Sequence, residues 1–288
     1  MPRILCYIDI CGILPICKKK GCCMPDADIS RKEYFMLQYL IVCPLVFLAG
    51  FVDSIAGGGG LISLPAYIIA GVPAHFALGT NKMSSTLGTS VSTWRYLKNG
   101  YLKEKRLIIT TACACLMSLT GSYIGSSLSL LVSDTVIKHM MMVVLPVVAF
   151  YVLRNKNMGA EEMVQKLPAR HVLLICVLAA LVIGMYDGFY GPGTGTFLLL
   201  VLTGAAHLNV REASAMTKVL NLSSNVMALA NFLLNGTVYY GLGLAAAVFC
   251  IAGHYIGSGL VVSNGQKIVR PLILVVLVIL FVKILLGI

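Results

Sequence analysis

Asp53 and Asp187 are carboxylates set in strongly apolar surroundings, and each is followed further along the chain by a lysine inside another apolar stretch, Lys82 and Lys218. An ionised side chain held away from water costs several kcal/mol unless it is paired or used, so charges of both signs at depth point to a working pathway. Between each aspartate and its lysine lies a glycine-rich turn, Gly57, Gly58, Gly59 and Gly60 in the first case and Gly191-Pro192-Gly193-Thr194-Gly195 in the second. Glycine allows bare backbone to face a ligand, and a helix starting from such a turn adds the positive end of its dipole. Amide N–H groups, a helix N-terminus and a lysine together favour an anion. A carboxyl able to gain and lose a proton at depth suits proton coupling; the plainer readings are that the aspartates pair with the lysines or cap the helices that follow them.

The lysines belong to polar stripes. Asn81, Ser85, Gly88 and Ser92 recur at steps of three and four beside Lys82, and Thr217, Asn221, Ser224 and Asn231 do the same beside Lys218, which places each set on one helical face. Such a stripe can also serve as interhelical glue, although a lysine in each is more than glue requires. The expected ligand residues are therefore Gly57 to Gly60, Asn81, Lys82, Ser85, Gly191, Gly193, Thr217, Lys218 and Asn221, with Asp53 and Asp187 as proton-coupling groups and no metal or other cofactor.

The elements that must position these residues are membrane helices. Of the 288 residues 58% are hydrophobic and 11% charged, and the mean hydropathy of +0.90 leaves too little polar surface for a soluble globule. Apolar blocks of about 17–25 residues, each enough to cross a hydrocarbon core about 30 Å thick, recur to the end of the chain. The pattern predicts an all-α polytopic membrane protein with about eight spans, near 35–52, 76–97, 107–132, 136–153, 171–187, 211–234, 238–261 and 269–287. Two shorter stretches, 57–72 and 191–206, read as re-entrant or broken helices, which need protein or an aqueous cavity around them.

Charge tests this count. If the short stretches do not cross, the N-terminus, the 95–106 loop and the 154–170 loop share one side and hold most of the 22 Lys and Arg residues, which makes both termini cytoplasmic. Ten spans in two inverted sets of five would put Arg95, Lys98, Lys103, Lys105 and Arg106 outside, so eight is preferred. The net charge of +11 lies mostly in juxtamembrane loops, where lipid headgroups are the counterions, and nucleic acid is not an expected partner.

The chain repeats internally. Gly184-Met-Tyr-Asp187-Gly-Phe-Tyr-Gly191 echoes Gly50-Phe-Val-Asp53-Ser-Ile-Ala-Gly57, Asn235-Gly236 echoes Asn99-Gly100, and Gly253-His-Tyr-Ile-Gly257-Ser258 echoes Gly121-Ser-Tyr-Ile-Gly125-Ser126. The organisation is a Cys- and Lys-rich cytoplasmic segment 1–34, a first transmembrane repeat 35–153, a cytoplasmic linker 154–170 and a second repeat 171–288.

The stretch GFVDSIAGGGGLISLPAYIIAGVPAHFALGTNKMSSTLGTSVSTWRYLKNG resembles the first signature of the TauE/SafE family, the sulfite and organosulfonate exporters. The resemblance, over positions 35–288, implies two four-helix repeats and movement of small sulfur-containing or carboxylate anions. Through it Asp53, Gly57 to Gly60, Pro65, Asn81 and Lys82 inherit the family's pathway role. The second half departs from the first, with Pro192 for Gly58, Thr194 for Gly60 and Thr217 for Asn81, so asymmetric binding between the halves is expected rather than two equal sites.

The remaining motifs add less. Cys6, Cys11, Cys17, Cys22 and Cys23 beside Lys18-Lys19-Lys20 match no familiar metal spacing and fit a membrane-surface tail. Cys43, Cys113, Cys115, Cys176 and Cys250 read as core filling. His75 and His207 lie near the expected pathway, whereas His139, His171 and His254 read as interfacial or structural. Trp94, Tyr96, Tyr239 and Tyr240 read as headgroup anchors. The expected function is secondary, proton-coupled transport of a small anion across the cytoplasmic membrane, not an enzymatic reaction. A passive anion channel and a thiol-dependent membrane redox protein are the alternatives. The anion and membrane lipid are the expected partners, with assembly into a homo-oligomer left open.

Overall fold

The computed structural model describes residues 25–137, 139 and 167–264. The chain divides into a short N-terminal unit, Met1–Met36, whose described part is helical from Pro25, and a body, Leu37–Ile288, which contains the whole site. Most of the span expected at 136–153, the span expected at 269–287, most of the 154–170 linker and the cysteine-rich start of the chain lie outside the described residues.

Eight helices of ten or more residues lie among the described residues: α1 (Pro25–Ala56), α2 (Gly60–Ile69), α3 (Ala74–Lys98), α4 (Lys105–Leu131), α5 (Ala169–Phe189), α6 (Thr194–Gly204), α7 (Val210–Leu234) and α8 (Tyr240–Asn264). No strand occurs among them. Phe35–Ala56, Lys105–Leu131, Ala169–Phe189 and Tyr240–Ser263 are long and apolar enough to cross a membrane. The 25-residue α3 and α7 are long enough as well, about 37 Å at 1.5 Å per residue, but carry the polar stripes. The short α2 and α6 occupy the two stretches expected to be re-entrant or broken.

The molecule is inside out relative to a soluble protein. Leu40, Leu116, Val182 and Val248 are more than 60% exposed, while Ser54, Thr80, Ser84, Thr89, Ser122 and Ser258 are fully buried. An apolar exterior around a hydroxyl-rich interior is what a lipid solvent selects.

Local sequence explains the helix ends. Pro73 and Pro168 stand just before α3 and α5, where a missing N–H costs nothing, and Asn209 caps α7 by accepting from the Glu212 amide at 2.9 Å. The echoed pairs Asn99-Gly100 and Asn235-Gly236 end α3 and α7 identically. Gly100 and Gly236 each have φ of +67°, and the asparagine amide donates to the carbonyl one turn back, Arg95 O and Asn231 O, at 2.8 Å.

The halves interlock rather than sit side by side. Gly253 and Gly257 of α8 bring its backbone against Phe47 and Phe51 of α1, and Gly121 and Gly125 of α4 do the same against Leu181, Met185 and Phe189 of α5. Small residues permit this approach, and in each case a helix of one half packs on a helix of the other.

Direction follows from the contacts. Gln38, near the start of the apolar part of α1 (Phe35–Ala56), donates to Ala70 O just past the end of α2, so that part of α1 and α2 form a hairpin and α3 sets out from the Leu37 end. The far end of α1 meets the far end of α3, where the Tyr96 hydroxyl donates to Ser54 O at 2.7 Å. Helices α3 and α7 are antiparallel: Tyr239 N donates to Thr80 Oγ1, Thr93 Oγ1 to Lys218 O and Arg211 Nη2 to Asn99 O. The two halves are thus inverted with respect to each other. This corrects the sidedness drawn from charge, because the Leu37 end of α1 and the 95–106 loop lie at opposite ends of the body. Hydropathy could not register that α2, though short, returns the chain to its starting end. Tyr96 is corrected too: it is 1% exposed and joins α3 to α1 instead of anchoring at headgroups.

Candidate functional site

The two glycine turns meet at the centre of the body. Gly57 ends α1 with φ of +79°, and a Cβ on it would collide with the backbone of Gly195 at the start of α6. Thr196 Oγ1 donates across the junction to Ala56 O at 2.9 Å, and Gly60 faces Pro192. The N-termini of both half-helices are thereby brought to one place.

The four buried charges pair across the halves. Lys82 Nζ lies 2.7 Å from Asp187 Oδ2 and donates to Asn225 Oδ1 at 2.8 Å. Lys218 Nζ donates to the main-chain carbonyl of Asp53 and stands 3.5 Å from its Oδ2. Each lysine therefore serves the aspartate of the opposite repeat. Both aspartates also sit at the half-helix starts: Asp53 Oδ1 accepts from Gly59 N at 3.2 Å, and Asp187 Oδ1 from Thr194 Oγ1 at 2.8 Å. The pairing is realised, while neither half-helix carries a side-chain cap, and the carboxylates stand near the starts of the half-helices, where an incoming anion would be drawn.

The two carboxylates are not held alike. Asp187 is 2% exposed and has three close partners, Lys82, Thr194 and Ser224, the last donating from Oγ at 2.6 Å. Asp53 has only longer side-chain contacts, to Gly59 N, Lys218 Nζ and, at 3.5 Å, His254 Nε2. It also borders a narrow cleft lined by Ala49, Gly59, Ser63, Asn81, Ser84, Ser85, Cys250 and His254, with room for little more than one water molecule.

Among the expected ligand residues, Gly59, Asn81 and Ser85 line this cleft and Lys82 adjoins Gly191. Asn81 Oδ1 and its repeat counterpart Thr217 Oγ1 are buried with no hydrogen-bond partner. Asn221 accepts from Asn225 Nδ2 at 3.5 Å, and Gly193, with φ of +81°, caps α6. Gly58 is buried beside Thr196. The α7 stripe also supplies glue, since Asn231 Nδ2 donates to Ser126 and Ser127 on α4.

His254 is the residue that sequence reasoning missed. Read as interfacial or structural, it is 1% exposed and faces Asp53; the signal was the break in the repeat, where Ser122 holds the equivalent place. His75 instead pairs with Asp134 at the end of the body away from the basic loops, two turns of α3 from Lys82. Around the 99–104 loop, Arg211 stacks 4.4 Å over the Tyr101 ring, and burial pushes the Tyr101 phenol up against that opposing cation. Cys43, Cys113, Cys115, Cys176 and Cys250 are all free thiols.

An all-α body with an apolar exterior, half-helices meeting at its centre and buried paired charges defines a polytopic membrane transporter. The chain belongs to the sulfite exporter TauE/SafE family, which matches residues 42–284. It is 36% identical over 253 residues to a probable membrane transporter protein, ORF9, of Sinorhizobium sp., covering 88% of this chain and 93% of that protein. It is 33% identical over 256 residues to the probable membrane transporter protein YfcA of Escherichia coli, covering 87% and 92%. A probable membrane transporter protein of Haemophilus influenzae is 32% identical over 230 residues, 80% of this chain and 87% of the relative. No solved structure gives a significant match.

Proposed function

We propose that the chain is a secondary carrier of small anions, namely sulfite, an organosulfonate or a related sulfur or carboxylate anion, working by proton-coupled alternating access in the cytoplasmic membrane. The observation that carries this reading is the crossed pairing of Lys82 with Asp187 and Lys218 with Asp53 at the starts of two half-helices. Two lysines balance two aspartates, so an anion entering alone would leave an uncompensated charge in a dry site. Protonation of Asp53 removes that penalty. It also releases the Gly59 amide and Lys218 to the substrate, so proton and anion bind together. Asn81, Ser85, Thr217 and Asn221 supply hydrogen bonds, and the inverted halves rock about the fixed centre. The narrow cleft suits a closed stage of that cycle.

The end bearing Lys98, Lys103, Lys105, Arg106, Arg170 and Arg211 is assigned to the cytoplasm on the positive-inside rule. The test is uptake into proteoliposomes of labelled sulfite, a short sulfonate and a carboxylate, with and without a pH gradient, comparing wild type with Asp53→Asn. Saturable, gradient-dependent uptake lost in the variant supports the carrier; gradient-independent flux untouched by the variant supports a channel or uniporter instead.

A further inference from the structure

The two halves furnish their aspartates differently at two repeat-related positions. Beside Asp187 stand Ser224 and Ser122, the latter donating to Ser224 O at 2.6 Å; beside Asp53 the equivalent positions are Gly88 and His254. The exchanges compensate in volume, because a Cβ on Gly88 would come within 2.5 Å of His254 Cδ2. Space has been opened on α3 for an imidazole on α8. The ring lies against the cleft-lining carboxylate, with no water-exposed edge of its own.

Two contacts hold the ring. His254 Nδ1 lies 3.0 Å from Ser92 Oγ, which also lies 3.1 Å from Thr89 O: with the hydroxyl donating to Thr89, Ser92 accepts from Nδ1–H, and with it donating to Nδ1 the ring hydrogen sits on Nε2. In the first tautomer Nε2 presents a lone pair to Asp53 Oδ2, 3.5 Å away, and in the second it presents its hydrogen; in both, the two atoms face each other across the place of a single proton. The charged or titratable groups around the imidazole are Asp53 on α1, Lys218 on α7 and Cys250 one turn earlier on α8, while α3 offers only Gly88 and Ser92.

We infer that His254 is the proton-transfer partner of Asp53, so that the first half is the coupling half and the Lys82–Asp187 pair is a fixed pin. In the Nδ1–H tautomer a proton from the cleft adds to the Nε2 lone pair. It then moves to Asp53 Oδ2, the N–H bond breaking as the O–H bond forms, which regenerates the neutral ring and neutralises the carboxylate. Release on the other side reverses both steps. The inference rests on the carrier reading above and deepens it by naming the path of the proton.

The experiment uses the full chain in proteoliposomes with labelled methanesulfonate, which stays ionised, so that any co-transported proton must ride on the protein. Two quantities are read: exchange without a pH gradient, and uphill accumulation driven by one. His254→Gln fills the site and keeps a donor for Ser92 but cannot take up a proton. The second variant, Gly88→Ser with His254→Ser, installs the pair found beside Asp187. Exchange needs Asp53 only to keep a proton already bound, whereas accumulation needs that proton to come and go, so both variants are expected to retain exchange while accumulation falls about tenfold or more. Wild-type accumulation surviving in either variant, or exchange and accumulation lost together in both, overturns the role of His254. A wild type that exchanges but never accumulates overturns the coupled-carrier reading itself.

Discussion

Lys82 in the first repeat and Asp187 in the second stand 2.7 Å apart, each almost fully buried, while Lys82 and Asp53, which share a repeat, form no ion pair. The tightest charge contact at the centre is therefore a bond between the halves. Removing one member leaves the other uncompensated, at a cost of about 3–5 kcal/mol. Asp187→Asn is expected to lower the unfolding temperature in detergent clearly, and a joint Lys82→Met, Asp187→Leu replacement is expected to recover much of it without restoring transport.

Lys82→Ala should abolish saturable anion uptake while the protein remains inserted, which surface labelling and uptake measured on the same preparation will check. Unchanged uptake removes the lysine from the mechanism.

Asn231 gives the contrasting case. Its bonds to Ser126 and Ser127 hold α7 to α4 away from the charges, so Asn231→Ala should cost about 1 kcal/mol of stability and leave the KM for the anion unchanged.

Gly57 combines a left-handed φ with backbone contact to Gly195. Gly57→Ala is expected to destabilise by about 1–3 kcal/mol from the backbone alone, with more from the collision. Gly236 shares the positive φ but has open space around it, so Gly236→Ala should show only the former. Paired thermal denaturation curves separate the two.

Sidedness has a direct check. In a cysteine-free background, Lys103→Cys and Thr237→Cys should be labelled by an impermeant maleimide from opposite faces of the membrane. Labelling from the same face contradicts the inverted halves. The cysteine-free parent should also transport normally, whereas a thiol-dependent redox protein would be inactive.

Much of this fold was legible because its signals are local. The half-helix turns announce themselves as Gly57 to Gly60 and Gly191 to Gly195, and the repeat survives in Asn-Gly pairs because a helix stop of that geometry needs glycine. Which lysine meets which aspartate was not legible, since it depends on how α3 and α7 cross and no periodicity encodes that. His254 went unrecognised for a similar reason. Its partner Gly88 lies on another helix, and only the repeat, with Ser122 and Ser224 in the matching places, relates the two. Charge counting misjudged the sides because a ten-residue helix is short enough to look as though it does not bring the chain back.

The crossed pairing also bears on what a single repeat could be on its own. One half alone carries a lysine and an aspartate that do not meet, and would have to strand both in lipid. Two copies of it inserted in opposite orientations would exchange counter-charges as Lys82 and Asp187, Lys218 and Asp53 do now. The present chain has the layout of two such copies joined end to end, with Gly88 and His254 marking where its two sites differ.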